Sequence, residues 1–268
     1  MTTPTDTLET VAVAGIGLWL PGVPDVQAWL DGARGVDSRQ GDHPKPTGAS
    51  IEPRARRRTS QLSRAFADAF VGAATQGRVD TSTTAAVFGS ALGEVSSMLT
   101  LLDQMSREEP LSPMSFGTSV HSAASGVISI SAGNRGFTTS ISAYHDTAAA
   151  ALFEARCLLQ TMGTPVVIAC GDEASPDRFV ADAESFDMLA VALALVPTDH
   201  DAPVLARLRW PVRDQEAQVA PASVSERIAR NPQIGLLDLA AAILAGHTGT
   251  TALDRGRGSG WSVTILEA

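Results

Sequence analysis

The sequence predicts an α/β protein, because short apolar runs that end in glycine alternate with longer helix-forming segments. Three such runs, over residues 10–22, 84–90 and 166–171, have the length and composition of buried strands. Residues 147–162, TAAAALFEARCLLQTM, are strong helix formers and apolar almost all round, which predicts a helix buried against a sheet. At 268 residues, the chain suffices for one large α/β domain or two small ones.

The first predicted strand contains a glycine pair, Gly15 and Gly17. The pair does not open a dinucleotide-binding fingerprint, because Leu20 occupies the place of the third glycine and a proline follows. We interpret the two glycines as the place where another element packs closely against the strand.

The remaining pattern supplies further helices and strands. Helices are predicted over residues 60–74 and 95–105, and the small residues of 117–133 predict another buried helix. The apolar stripe of 95–105 suits the core or a subunit interface. Further along the chain we expect strands over residues 186–196 and 203–210, a helix over 236–245 and a closing strand over 261–267.

The stretch from Ser112 to Asp146 is the one around which the chain is organised. Its segment FTTSISAYH, residues 137–145, alternates as a β-strand does and runs directly into the helix at 147. Asp146 is predicted to cap that helix. His145 therefore lies beside a buried helix N-terminus, which favours anions and where many α/β enzymes place a nucleophile.

This order of features resembles the nucleophile region of β-ketoacyl synthases: Gly-x-Arg-Gly, a Ser/Thr-rich strand, a nucleophile position and a buried Ala-rich helix. VVIACGDEA at 166–174 and FDMLAVALALV at 186–196 resemble the next two strands of the family. LSPMSFGTSVHS at 111–122 and GSALGE at 89–94 resemble a short branch, the chain-length-factor subunits of aryl polyene-type pathways. The resemblance covers residues 11–196.

The resemblance implies a thiolase-like layered α-β-α-β-α fold with an abbreviated C-terminal half. Residues 1–268 would form a single domain, with a ketosynthase-like half over 11–197 and a shortened half over 198–268. GRGSGWSVTILE at 256–267 resembles the turn and strand that close a ketosynthase. The two histidine motifs of that half have no counterpart, and His247 in Gly-His-Thr-Gly has no assigned role.

The resemblance also implies a function. The family's nucleophilic cysteine is replaced here by His145, which cannot form a thioester, and Cys170 is no substitute because it closes a different strand. We therefore expect a non-catalytic chain-length factor that pairs with an active β-ketoacyl synthase and shapes its acyl tunnel in type II polyketide or aryl polyene biosynthesis. The alternative is an independent acyl transferase or hydrolase that uses His145.

Three sets of site residues follow from this resemblance and from the charge pattern. The candidates for the tunnel wall are Phe116, His121, Tyr144 and His145. The strand expected to pair with the partner comprises Thr138, Thr139, Ser140, Ile141, Ser142 and Ala143. A basic cluster, either a solvated helix start or a docking patch for an acidic acyl carrier protein, comprises Arg54, Arg56, Arg57, Arg58 and Arg64.

Two weaker constellations are also present in the sequence. Ser119, His121, His145 and Asp146 include the residue types of a hydrolytic triad, but no Gly-x-Ser-x-Gly elbow exists. His121, His145, Asp172 and Glu173 match no standard zinc spacing, so no metal is expected. We interpret His121 as a histidine bonded to the backbone, and Asp172 with Glu173 as hydrogen-bond acceptors at a strand end.

Charge and composition limit the partners and the location that we expect for the protein. A net charge of −9 argues against nucleic acid as a general partner. No apolar run reaches the ~18 residues of a membrane helix, and residues 1–7, MTTPTDT, lack the basic region of a signal peptide. We therefore expect a cytoplasmic protein with no membrane span and no cofactor. Cys157 and Cys170 are expected to be buried free thiols.

Overall fold

The computed structural model of the protein describes residues 9–176, 178, 180–197, 200–214 and 217–268. The expectation about a signal peptide concerns residues 1–7 and lies outside this range.

Nine strands of the described chain form one mixed sheet, with the order β3-β2-β4-β5-β1-β6-β9-β7 and with β8 paired to β9. The strands are β1 Thr10–Trp19, β2 Ala85–Gly89, β3 Thr138–Ile141, β4 Val166–Asp172, β5 Leu189–Val196, β6 Ala206–Arg209, β7 Val212–Arg213, β8 Gly249–Ala252 and β9 Trp261–Leu266. All of the strands that the sequence predicts are present.

The helices of the described chain are α1 Val26–Leu30, α2 Pro53–Arg56, α3 Gln61–Gln76, α4 Val95–Ser106, α5 Pro113–Gly117, α6 Ala123–Ala132, α7 Thr147–Met162, α8 Glu226–Ala229 and α9 Ile234–Leu244. Single 3₁₀ turns occur at Tyr144–Asp146 and Asp182–Glu184. No helix in this part of the chain is both long and apolar enough to cross a membrane.

Strand directions bring several chain segments to one edge of the sheet. β2 is parallel to β3 and to β4, while β5 is antiparallel to both β4 and β1. The carboxyl ends of β1, β2, β3 and β4 therefore meet at the same edge, where ligand sites of open α/β sheets commonly lie. The 3₁₀ turn that contains His145 follows β3 at this edge.

Both faces of the sheet are covered. Alternate residues of β1 separate the two cores: Val11 and Val13 belong to the core that contains α7 and α9, while Ala12 and Ala14 belong to the core with α3 and α6. β4 and β5 are buried along their whole length, as expected of strands covered on both sides.

The glycine pair of β1 has the role that the sequence predicts. A Cβ atom added at Gly15 would lie 2.0 Å from the carbonyl oxygen of Ala73, and one at Gly17 would lie 1.8 Å from that of Ala69. Both carbonyls belong to α3, so the helix backbone rests directly on the strand. Any side chain at either glycine would separate them.

Three local expectations are wrong. Residues 117–133 form the end of α5, a turn and α6, and Ile130 on α6 is 82% exposed. Helix α7 is buried only on one side, since Met162 is 44% exposed. Cys157, on the outer side of α7, is exposed, whereas Cys170 is buried as expected. The side chains of α6 and α7 are mostly small or apolar, so the sequence did not reveal which side of each helix faces solvent.

Residues after 197 contribute a smaller set of elements. They form β6 to β9 and the helices α8 and α9 within the described chain. β6 pairs with β1, so these strands extend the sheet that β1 to β5 form.

Candidate functional site: a histidine at the start of a buried helix

His145 lies in the 3₁₀ turn between β3 and α7. Tyr144 before it has a φ of 51°, in the left-handed region that non-glycine residues rarely occupy. Thr147 holds this turn: its Oγ1 accepts a hydrogen bond from the amide of Ala143 at 3.0 Å and donates one to the carbonyl of Tyr144 at 2.8 Å. The sharp turn directs the chain from the sheet edge into α7.

Asp146 does not cap α7, contrary to the sequence prediction. Its carboxylate instead accepts hydrogen bonds from the amide of Ser259 at 2.8 Å and from the Ser259 hydroxyl at 2.7 Å. A Cβ at Gly258 would lie 2.3 Å from Asp146 Oδ1, so the glycine permits this approach. Asp146 thereby fastens the glycine-rich turn of the C-terminal half to the start of α7.

The surroundings of His145 favour the neutral form of its imidazole. Burial is the main cause that lowers its pKa, and the charge of Arg257 lowers it further, against the opposite effect of Asp254 and Asp146. Its Nδ1 is buried and has no hydrogen-bond partner among the described residues. The ring of Tyr144 packs edge-on against the imidazole, with centroids 4.3 Å apart.

Cys170 cannot serve as the missing nucleophile. Its side chain is fully buried in β4, beside Gly89 and Thr147. Burial, reinforced by the charge of Asp172, raises the pKa of this thiol far above its usual range. A thiol without access to solvent or to its thiolate form is chemically inert.

A buried carboxylate, Asp172, connects the segments around His145. It accepts hydrogen bonds from the Ser90 hydroxyl at 2.6 Å, the Leu92 amide at 2.8 Å and the Gln233 side-chain amide at 2.8 Å. Burial raises the pKa of Asp172, and these hydrogen bonds oppose that shift. The residue is an acceptor at a strand end, in accord with the sequence interpretation.

His121 lies before α6 and is bonded to the backbone, as interpreted from the sequence. Its Nε2 is 2.8 Å from the carbonyl oxygen of Ser90. Because a carbonyl only accepts, Nε2 carries the proton in this bond. His121 thus flanks the loop after β2, and Ser142 flanks the same loop through a hydrogen bond to the carbonyl of Ala91 at 3.1 Å.

The two weaker constellations are not assembled. The Ser119 hydroxyl donates to the carbonyl of Phe116 at 2.9 Å, so it is not bonded to either histidine. Within the described ranges, no group of three or more His, Cys, Asp or Glu residues is arranged to hold a metal ion.

Phe116 and Tyr144, two of the four tunnel-wall candidates, lie on the surface of the isolated chain. Phe116 on α5 is 64% exposed and Tyr144 is 54% exposed. His121 and His145 are both half-buried.

The strand β3 forms an edge of the sheet. It pairs with β2 on one side, and its four residues are all half-buried. Ten of the thirteen large apolar side chains that are exposed in the described residues lie between positions 98 and 144, the segment that contains β3. They are Met98, Leu102, Met105, Leu111, Met114, Phe116, Val120, Ile130, Phe137 and Tyr144. An apolar surface of this kind is typical of an interface.

The five arginines of the basic cluster divide into two groups. Arg54, Arg57 and Arg58 are exposed and line one surface depression. Arg56 and Arg64 are half-buried, and Arg64 donates to the backbone carbonyl of Arg56 at 2.7 Å. Three of the five guanidinium groups are thus presented together to solvent.

Sequence analysis did not identify Gln233 or Asp254 as part of the site. Gln233 is fully buried and binds Asp172 across 61 residues of sequence. Asp254 accepts hydrogen bonds from the amides of Gly256 at 2.8 Å, Gly258 at 3.2 Å and Gly260 at 2.8 Å, which fixes the glycine-rich turn. An aspartate followed by three glycines at alternate positions was the available signal for this turn.

The sequence of the chain matches one protein family over most of its length. The family described as Beta-ketoacyl synthase, N-terminal domain, matches residues 28–262. No curated protein matches the chain significantly in sequence.

Solved structures resemble the fold over almost the whole chain. One is a ketosynthase (ApeO) in complex with its chain length factor (ApeC) from Xenorhabdus doucetiae, with a TM-score of 0.71, 20% identity, and coverage of 96% of this chain and 99% of that chain. The ishigamide ketosynthase/chain length factor has a TM-score of 0.66 at 16% identity, with 96% and 98% covered.

A β-ketoacyl synthase from Burkholderia phymatum STM815 has a TM-score of 0.59 at 15% identity, and the similarity covers 87% of this chain but 70% of that one. The present chain is therefore shorter than that synthase, while its fold is the thiolase-like fold expected from the sequence. The family match extends over most of the 268 residues, and the chain belongs to the β-ketoacyl synthase family.

Proposed function

We propose that this chain is a non-catalytic chain-length factor that pairs with an active β-ketoacyl synthase and shapes its acyl tunnel. The observation that carries the proposal is the combination of an imidazole at the nucleophile position with an edge strand, β3, in a segment rich in exposed apolar side chains. Similar folds occur in the ketosynthase/chain length factor structures. The same similarity fits a role in an aryl polyene or related type II polyketide pathway.

The chemistry at His145 supports a role without catalysis. Claisen condensation requires a nucleophile that carries the acyl chain as a thioester. A neutral imidazole cannot do so, and Cys170 is buried. The bonds between Asp146 and Ser259 also hold the glycine-rich turn against the start of α7.

The backbone of β3 supports pairing with a partner strand. The carbonyls of Phe137 and Ile141 accept hydrogen bonds from β2, at 2.8 Å from Ala86 and 3.1 Å from Ser90. Because successive residues of a strand point their backbone groups in opposite directions, those of Thr138 and Ser140 face away from β2. An added strand would bond to them.

A proline at Ser140 tests this pairing, since it removes an outward amide and leaves the bonds from Ala86 and Ser90 in place. The chain is co-expressed with an active β-ketoacyl synthase from the same organism, and complex formation is measured by size-exclusion chromatography with light scattering. We expect a 1:1 complex for the unchanged chain and for Ser140→Ala, and its loss for Ser140→Pro. A Ser140→Pro variant that is folded and still forms the complex would refute pairing through β3.

The exposed arginines are proposed to receive the acidic acyl carrier protein, directly or together with the partner subunit. Charge reversal of Arg54, Arg57 and Arg58 to Glu should weaken carrier binding to the complex about tenfold or more at low salt. Reversal of the exposed Arg209 on β6 is the matched control. Unchanged carrier affinity of the triple variant would assign these arginines to an ordinary solvated helix start.

A further inference from the structure

A pocket of about 570 Å³ opens at the sheet edge between residues 38–45 and the first turns of α3 and α4. Trp19 and Met188 supply an apolar part of its wall, while Ser97 and Glu173 supply polar groups. Most of the lining residues are polar, and a concave site of this size with polar groups beside an apolar wall suits a small polar ligand that has an apolar part. None of its lining residues belongs to β3.

One buried carboxylate, Glu173, lines the pocket, and a second, Glu94, lies near enough for the two charges to interact. Glu173 is 7% exposed, and its Oε2 accepts a hydrogen bond from the amide of Ser96 at 2.9 Å. Glu94 is 3% exposed; its Oε1 accepts from the hydroxyl of Ser63 at 2.6 Å, while its buried Oε2 has no partner in the described structure.

No cation compensates these two carboxylates within the described residues. Neither glutamate takes part in an ion pair there, and Lys45 at the mouth of the pocket is exposed. Burial raises the pKa of both carboxyls, and the charge of Glu173 raises that of Glu94 further. An ionised carboxylate that is buried without an ion pair is costly, so a bound cation would be favoured.

We propose that this pocket binds an organic ammonium ion, with the charged nitrogen at Glu173 and an apolar body against Trp19 and Met188. A metal ion fits less well, because the described chain contains no group of three or more ligating side chains. The site is independent of the proposed pairing through β3, so each can fail without the other.

The test is calorimetric titration of the full-length chain with n-butylammonium chloride at pH 8, compared with 1-butanol, sodium butyrate and magnesium chloride. We expect saturable binding of butylammonium alone, with an affinity that falls as the pH is lowered and Glu173 becomes protonated. Equal binding of 1-butanol would make the pocket merely apolar, and competition by Mg²⁺ would make it an inorganic cation site. Either outcome, or absence of butylammonium binding, would overturn the proposal.

Two variants locate the binding site. Glu173→Gln keeps an oxygen acceptor for the Ser96 amide and should fold, yet it should weaken butylammonium binding at least tenfold. Ser97→Phe should block the pocket without touching Glu173, and its thermal unfolding reports whether the fold is kept. Exposed Glu109→Gln is the control and should bind as the unchanged chain does. Unaltered affinity in Glu173→Gln would place the ligand elsewhere.

Discussion

The carboxylate of Asp172 accepts a hydrogen bond at 2.8 Å from the side-chain amide of Gln233, which lies 61 residues further along the chain. This contact joins the end of β4 to the start of α9, and so joins the two halves of the sequence. The Ser90 hydroxyl and the Leu92 amide bond the same carboxylate. One buried acidic group therefore links the loop after β2, the end of β4 and the start of α9.

Asp172→Ala should lower the free energy of unfolding by about 3 kcal/mol or more, because it leaves several buried donors without an acceptor. Urea denaturation followed by circular dichroism measures the change. Asp201→Ala, at an exposed position, is the control and should remain within about 0.5 kcal/mol of the unchanged chain. A loss below about 1 kcal/mol for Asp172→Ala would show that water replaces the carboxylate.

Gly17→Ala should destabilise the protein by about 3 kcal/mol or prevent folding, because the added methyl would overlap the α3 backbone. That methyl would lie 1.8 Å from the Ala69 carbonyl oxygen. Gly72→Ala on the facing helix is a matched control, since its Cβ would meet Gly17 at 3.5 Å. We expect the control to raise stability by about 0.5 kcal/mol through helix propensity. Equal thermal stabilities of the two variants would contradict this packing.

Glu94→Gln should reduce the dependence of stability on pH above 5. Burial raises the pKa of folded Glu94 above its ordinary value of 4.5, so the unfolded chain releases this proton first. The stability contributed by Glu94 is full below pH 4.5 and is lost as the pH rises through the raised pKa. Melting temperatures between pH 5 and 8 should therefore fall less steeply for Glu94→Gln than for the unchanged chain or for Glu109→Gln. Identical slopes would show that Glu94 is ionised at low cost.

Phe116→Ala and Tyr144→Ala should lengthen the acyl product of the complex, if these exposed rings close the acyl tunnel. Removing a ring leaves space for additional chain units, and mass spectrometry of the carrier-bound product measures the number of units. Leu30→Ala, which removes an apolar side chain that is 53% exposed on α1, is the control and should leave product length unchanged. Unchanged length in both ring variants would remove them from the tunnel wall.

The strands and longer helices were predictable because their burial leaves a periodic signal. Runs such as β4 and β5 are apolar throughout, and the glycines of β1 reported the close approach of α3. The exposed sides of α6 and α7 were not predictable, since Ala, Ser, Ile and Met are tolerated both in cores and at interfaces.

Much of the candidate site depends on contacts between distant segments. The position of His145 followed from local order, but the role of Asp146 did not, because its partner Ser259 lies 113 residues away. The local sequence around Asp146 favours a helix cap, but in the folded chain its carboxylate binds Ser259 instead. Gln233 and Glu94 were missed for the same reason: their importance arises from burial beside groups remote in sequence.

The most direct measurement of the central claim is an elongation assay on this chain alone, on an active β-ketoacyl synthase from the same organism alone, and on the two together. Malonyl-loaded carrier protein is the extender, and product is detected by mass spectrometry. The account predicts no turnover by this chain alone, elongation by the pair, and unchanged elongation by the pair when His145 is replaced by Ala. Turnover of an acyl thioester by the isolated chain that is lost in His145→Ala would contradict it and establish His145 as a catalytic residue.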